Sequence, residues 1–436
     1  MLEKDRFKRM GATDDFEEIR AHEFFKTIDW QKLLAKRIKP PFKPNLKNVT
    51  DTKYIDREFT DAPEPESVIT SGVLGASVRG MDNDFSGFTY APKELEDIAE
   101  TDVKPTDFDF LSPVGKGTFG KVFLARCKRD DKVYAIKAIA KSVVRKRDGV
   151  RHLWAERNVL INNLDHPFLV KLHYSFQTKE KLYFVLDYLP GGELFYHLQQ
   201  ERYFPESKAR FYAAEIATAI GYLHERQIIY RDIKPENLLF DSDGHLVLTD
   251  FGLCKENFGP ADTTSTFCGT AEYMAPEIVL GKHYDRTVDW WCLGIILYEM
   301  MFGLPPFYSR EKKVMYHKIV TQKLLVSNLT ASPCARDLLY KLLEKDNAKR
   351  LGAKRDFLDV KEHNFFASID FEKLLCREIS PPHKPKLAGK VDTKYADPDT
   401  VNETVPDDVA KPIATTNAST DTFEGFTYPN SIRKVS

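Results

Sequence analysis

Asp232, Lys234, Asn237 and Asp250 fall within one stretch, YRDIKPENLLFDSDGHLVLTDFG, from Tyr230 to Gly252. Phosphoryl transfer from ATP needs such a set. An acidic group orients the attacking hydroxyl, a cation steadies the migrating phosphoryl, and hard oxygen ligands hold Mg²⁺ against the phosphates. The four side chains must be brought to one wall of a cleft. Between Asn237 and Asp250, LLFDSDGHLVL reads as strand, Asp-Gly turn, strand, so a hairpin is the expected carrier.

Upstream, FDFLSPVGKGTFGKVFL from Phe108 places Gly115, Gly117 and Gly120 between two strand-like runs, with Lys116, Thr118 and Phe119 among them and Val122 following. Glycines let a backbone turn approach phosphates closely. Dinucleotide folds share this spacing but continue into a helix, whereas VFLAR continues as a strand, which points to a hairpin lid over ATP. The next strand, VYAIKAIAK, carries Lys137, a poor core residue unless paired. Its expected partner is Glu156 in the helical stretch HLWAERNVLINNL. LYFVLDY reads as a buried strand, and PGGELF breaks it, so the chain hinges there. Asp187 and Leu189 offer backbone groups to an adenine edge at that point. Ala209–Ile220 has helical apolar spacing, and TVDWWCLGIILYEMM is a buried core helix. Asp289 inside that helix needs several donors, which makes it the holder of the loop around Arg231 and Asp232. Glu277 and Arg350 form an expected buried ion pair. CKENFGPADTTSTFCGT is rich in hydroxyls and reads as a loop. The basic run KSVVRKRDGVR reads as a solvated helical face, with docking of an acidic or phosphorylated tail as the alternative.

With 436 residues, of which 42% are hydrophobic, the chain can bury a core of one large or several ordinary domains. The net charge of −1 gives no general reason to expect nucleic acid or acidic lipid as a partner. Cys127, Cys254, Cys268, Cys292, Cys334 and Cys376 show no metal-ligand spacing and read as reduced thiols of an intracellular protein. Cys254 and Cys268 flank the hydroxyl-rich loop, where packing outweighs redox sensing. No apolar run approaches the about 20 residues that span a bilayer.

The chain also repeats itself. LEKDRFKRMGATDDFEEIRAHEFF from Leu2 returns as LEKDNAKRLGAKRDFLDVKEHNFF from Leu343, an offset of 341 residues that DTKY keeps at Asp51 and Asp392. FSGFTY at Phe85 and FEGFTY at Phe423 close the two copies. The first copy begins inside an element. That suggests the end of one unit joined to a complete second one, with a regulatory spare tail as the alternative. The expected organisation is residues 1–90 as the duplicate, 91–107 as an acidic linker, 108–366 as the catalytic domain (108–189 and 190–366 as its lobes) and 367–436 as a tail.

Taken together these residues resemble the eukaryotic protein kinase signature over Phe108 to about Phe366. RDIKPEN is similar to the serine/threonine class, and the aromatic-x-x-aromatic-Thr-Tyr endings are similar to the AGC group. DFGLCKE, TTSTFCGT and YDRTVDWWCLG most resemble the serum- and glucocorticoid-regulated kinases, with Akt next. The resemblance implies an α+β bilobal fold, with a small β-rich N-lobe, a large helical C-lobe and a C-terminal tail. It implies Mg²⁺ and ATP as cofactors. Asp232 would orient the substrate hydroxyl, Lys234 would neutralise phosphoryl charge, Asn237 and Asp250 would bind the metal, and Lys137, fixed by Glu156, would hold the α- and β-phosphates. Leu186 would be the gatekeeper. Val122, Ala135, Leu239 and Thr249 would line the adenine pocket, and Leu160, Leu172, Tyr230 and Phe251 would stack as a spine. Glu193 and Glu236, at the mouth of the nucleotide site, would select arginines in R-x-R-x-x-Ser/Thr substrates. Thr266 would be the activation-loop phosphosite, Thr427 and Thr89 the tail phosphosites, and Phe423 and Phe426 would dock beside the helix of Glu156. Further implications are upstream activating kinases, a monomer, a cytoplasmic and also nuclear location, and neither nucleic-acid nor integral membrane contact.

Some positions depart from the family. Ala271 replaces a proline in GTAEY, and His317 stands where relatives are often acidic. Ala396 and Thr400 replace aromatics where the first tail keeps Phe59. Asp408 replaces a hydroxyl that the first tail keeps as Ser67, and is expected to supply a permanent negative charge. The alternative class, a scaffold that binds partners without chemistry, finds no catalytic position missing.

Overall fold

The computed structural model describes residues 20–34, 103–116, 120–146, 149–161, 165–327, 331–410 and 428–429. The chain divides into two units, residues 1–90 and 91–436. In the first, a 3-10 turn, Glu23–Phe25, precedes helix α1 (Trp30–Leu34). His22 caps the turn by accepting the Phe24 N–H at 3.1 Å, and Asp29 Oδ1 accepts the Lys32 N–H at 3.1 Å.

The second unit opens on a sheet. Strands β1 (Phe108–Lys116), β2 (Gly120–Cys127), β3 (Val133–Ala140), β4 (Leu172–Gln177) and β5 (Lys181–Asp187) are antiparallel, in the order β1-β2-β3-β5-β4. A two-residue strand, Tyr428–Pro429, adds to the free edge of β4 opposite Ser175 and Tyr174. Two-residue alternation decides the faces of β3. Tyr134, Ile136 and Ala138 join Phe108, Phe123, Phe176 and Tyr183 in a small core on one side, so Ala135 and Lys137 point to the other. Helices α2 (Lys141–Lys146) and α3 (Gly149–Ile161) lie between β3 and β4.

The remainder is helical, with α4 (Leu194–Glu201), α5 (Glu206–Glu225), α6 (Pro276–Val279), α7 (Thr287–Phe302), α8 (Lys312–Thr321) and α9 (Pro333–Leu342). Short helices α10 (Phe357–Lys361), α11 (Phe371–Leu375), α12 (Pro398–Val401) and α13 (Asp407–Ala410) follow. Helix α7 is apolar all round and is buried along nearly its whole length, crossing α5 in the main core. Among the described residues no helix is long and apolar enough to cross a membrane. The small sheet-bearing lobe and large helical lobe are those expected.

The hairpin differs in detail from the expectation. Strands β6 (Leu238–Phe240) and β7 (Leu246–Leu248) are only three residues each, and the loop runs from Asp241 to His245. The Asp-Gly pair lies inside this loop, which Asp241 Oδ1 organises by accepting the N–H groups of Asp243, Gly244 and His245 at 2.9–3.0 Å.

The repeat is visible in three dimensions. The turn Asn364–Phe366 and α11 sit 341 residues after the turn Glu23–Phe25 and α1. His363 caps the second turn as His22 caps the first. The edge-to-face ring pairs recur at 5.0 Å for Phe24–Phe25 and 5.1 Å for Phe365–Phe366. Burial does not recur: Phe24 is 78% exposed where Phe365 is 1%, and Leu33 42% where Leu374 is 0%.

Candidate active site

Register aligns the predicted nucleotide residues across the sheet. Gly115 is opposite Val122, Val122 opposite Lys137, and Ala135 opposite Leu186. Gly117, Thr118 and Phe119 lie outside the described residues. The ammonium of Lys116 pairs with Glu403 of the tail at 2.7 Å. Lys137 donates to both oxygens of Glu156 on α3, at 2.7 and 2.9 Å, and its amine lies 3.7 Å from Asp250. Burial pulls the Lys137 pKa down, but the charges of Asp250 and Glu156 outweigh it and hold the amine above its ordinary value. The same amine keeps the Asp250 carboxyl below the usual carboxylate range. Asp250 still presents 46% of its side chain to the cleft.

The hinge is sewn to the hairpin. Gly191 donates to the Phe240 carbonyl at 2.9 Å, and Phe240 donates to the Gly192 carbonyl at 2.8 Å. This sets Glu193, the N-cap residue of α4, beside Leu239. At the hinge, the Asp187 N–H donates to the Lys171 carbonyl at 3.2 Å, while its carboxylate accepts the Lys171 N–H and meets His173. Leu189 packs against the main core.

Asn237 closes a 3-10 turn just before β6, and Asp250 follows β7, so the hairpin brings both predicted metal ligands to one end. Thr249 ties them through its N–H and hydroxyl to the Asn237 carbonyl, at 2.9 and 3.1 Å. Asn237 Nδ2 donates to the Asp232 carbonyl at 3.0 Å and to Tyr230 Oη at 3.3 Å. Asp232 receives the Thr270 hydroxyl at 2.8 Å and lies 2.9 Å from Lys234, whose amine also donates to Thr270 at 3.1 Å. Arg231 and Asp250 hold left-handed backbones, φ +72° and +58°, which non-glycine residues rarely adopt. Asp289 supports the first of these. Its carboxylate accepts the N–H groups of Tyr230 and Arg231 at 2.9 and 2.8 Å and the His224 ring at 2.9 Å. Tyr230 and Phe251 meet edge to face at 5.6 Å, within one core with Leu160 and Leu172. Glu277 and Arg350 make the expected buried pair through two bonds of 2.6 and 2.9 Å.

Thr266 is exposed. Its carbonyl accepts the Tyr284 hydroxyl at 2.8 Å, and Arg231 Nη1 lies 3.5 Å from that same hydroxyl. Thr89 and Thr427 lie outside the described residues, as do Phe423 and Phe426. Asp408 pairs with Lys181 of β5 at 2.7 Å. Cys254 is buried and its thiol is pushed up by that burial, so it sits there as a packing residue.

Three contributors went unread in the sequence. Thr270 links Asp232 to Lys234 from the far side of the activation segment. Tyr284 joins Arg231 to the Thr266 backbone. Glu299, on α7, is pushed up to about 7 by burial, opposed by the Tyr273 hydroxyl at 2.7 Å and reinforced by the charges of Glu236 and Glu272. Glu193 is likewise raised, first by burial and then by Glu236. A lone glutamate in an otherwise apolar helix was the signal for Glu299, the same signal that singled out Asp289. No comparable signal marked the other two.

The family model "Protein kinase domain" matches residues 108–366, and "Protein kinase C terminal domain" matches residues 46–90, in the first of the two copies. The chain is 46% identical over 430 residues to serine/threonine-protein kinase Sgk1-A of Xenopus laevis, covering 97% of this chain and 91% of that one. It is 55% identical over 332 residues to serine/threonine-protein kinase Sgk1 of Homo sapiens, covering 74% and 77%.

Proposed function

This chain belongs to the protein kinase family, as a serine/threonine protein kinase, and we propose that it passes the γ-phosphate of Mg·ATP to serine or threonine in basic, R-x-R-x-x-Ser/Thr-like segments. The observation that carries the reading is the continuous set of contacts from Glu156 through Lys137 to Asp250, facing Asp232, Lys234 and Asn237. Asn237 and Asp250 offer the hard oxygens that Mg²⁺ prefers, and the bonds made by the Asn237 nitrogen leave its oxygen for that purpose. When bound there, Mg·ATP would supply the phosphoryl group, and its metal would neutralise the developing charge. Asp232 is aligned by Thr270 and Asn237 to accept the substrate hydroxyl's proton, and Lys234 holds positive charge beside it. Ala135, Leu186, Val122, Leu239 and Thr249 would wall the base, and Lys137 would hold the inner phosphates.

The acidic group of Glu193, Glu236 and Glu299 supports arginine selection. Burial raises Glu193 and Glu299, the charge of Glu236 adds to both, and Glu236 Oε2 is buried without a hydrogen-bond partner in the structure. Guanidinium forks relieve that cost. Phosphate on Thr266 would draw Arg231 through the contact Tyr284 already makes, and Thr427, just before Tyr428 in the sequence, would take the second phosphate. Kinases upstream would install both. Asp408, paired to Lys181, stands in for a turn phosphate in the second tail. Six free cysteines support an intracellular setting, in the cytoplasm and also the nucleus, and the chain acts as a monomer.

Transfer of labelled γ-phosphate to a peptide with both arginines tests the reading. The full chain is expected to label it, to label peptides lacking either arginine less, and to lose at least about 100-fold in rate as Lys137→Met, while the variant stays folded. Equal labelling by Lys137→Met overturns the assignment.

A further inference from the structure

Lys116 and Lys121 face each other at the last described rung of the β1–β2 ladder. One carboxylate reaches both. Glu403 Oε1 lies 2.7 Å from Lys116 Nζ, and Oε2 lies 2.6 Å from Lys121 Nζ. The two ammonium groups hold the Glu403 carboxyl down at about 2, and Asp397 and Asp399 add negative field at Lys116.

Glu403 is itself anchored on both sides. Before it, Asp397 caps α12 by accepting the N–H and hydroxyl of Thr400 at 3.2 and 2.6 Å, and Thr400 is buried. After it, Val405 and Val409 pack on the small-lobe core, and the Tyr183 hydroxyl donates to the Val409 carbonyl at 3.2 Å. The carboxylate therefore sits on a segment fixed at two points. The 341-residue repeat places Ala62 at this position in the first copy, so only the second tail carries the group.

We propose that Glu403 is a positioning residue for the nucleotide, tying both strands of the glycine hairpin to the tail through Lys116 and Lys121. The inference rests on the kinase reading above. Held this way, the hairpin keeps Gly115 and Val122 at a fixed height over the cleft, opposite Lys137. Losing the tie relaxes the hairpin and weakens nucleotide binding. It leaves the peptide side and Asp232 untouched.

A double-mutant cycle in the full chain tests this, with Glu403→Gln, Lys121→Met and both together. The KM for Mg·ATP is expected to rise about threefold in Glu403→Gln, within the range exposed ion pairs support. The double variant should match Glu403→Gln alone, and peptide KM and melting temperature should stay at the parent values. High salt should erase the parent's advantage by screening. Additive effects of the two substitutions, or an equal loss in peptide KM, overturn the tie. A parent chain that transfers no phosphate would overturn the kinase reading instead.

Discussion

His224 is a fully enclosed imidazole with a carboxylate at each nitrogen. Nε2 lies 2.9 Å from Asp289 and Nδ1 2.9 Å from Asp356, and Asp356 also takes Arg286 and the Trp290 N–H. Burial pulls its pKa down, but the hydrogen bonds and charges of the two aspartates prevail and push it up to about 9. A group raised in the folded state lends its full stability below its unfolded pKa of about 6.5 and loses it as pH rises through the folded value. Glu215 and Glu299, both raised to about 7 by burial, act lower, their cost growing as pH climbs from their ordinary value toward 7. Between pH 7 and 9 His224 supplies the main falling slope; Lys345, lowered to about 8 by burial, opposes it above pH 8, and the buried thiols of Cys254 and Cys292, both pushed up, add to it as pH nears 9. Urea midpoints should fall across that window by an amount equivalent to about 2–3 kcal/mol. The same slope persisting in His224→Gln would show that it arises elsewhere. At this scale the sequence was most legible where function is written contiguously, as in Asp232, Lys234 and Asn237. It was least legible where a partner comes from far along the chain, as Thr270 does for Asp232 or Glu403 for Lys121.

At the scale of elements, two glycines separate backbone strain from steric exclusion. Gly244, in the β6–β7 loop, has φ +97°, and a Cβ there would stand 1.8 Å from the His383 carbonyl oxygen. Gly281 has φ +63° but nothing within 4 Å of such a Cβ. Gly281→Ala should cost about 1–2 kcal/mol, the left-handed penalty alone. Gly244→Ala should cost clearly more, because the segment at His383 must move away. Chemical denaturation of the two variants gives the comparison, and equal losses would show that the contact at His383 carries no weight. Strand and helix periods were readable because burial imposes them, as with Tyr134, Ile136 and Ala138 or the apolar α7. The strand–turn–strand order of the hairpin was readable around its Asp-Gly pair, but not the length of the loop, where three backbone N–H groups converge on Asp241 Oδ1.

At the scale of the whole molecule, the described groups of the phosphoryl-transfer site, Glu403 included, all lie in the second unit, between Gly115 and Glu403. Removing residues 1–100 retains Val103, which packs into the small-lobe core. The shortened chain should keep the kcat and KM for ATP of the full chain. A changed rate of activation on phosphorylation would make residues 1–90 a regulatory module. The two copies were legible as a repeat, but not what each would do with its apolar side chains, since that depends on what lies opposite. Residues 20–34 and 361–375 keep matching capped turns, ring pairs and short helices, although Phe24 meets water and Phe365 meets the core. The shape is thus dictated by near neighbours along the chain, and the interior decides only where an already drawn shape comes to rest.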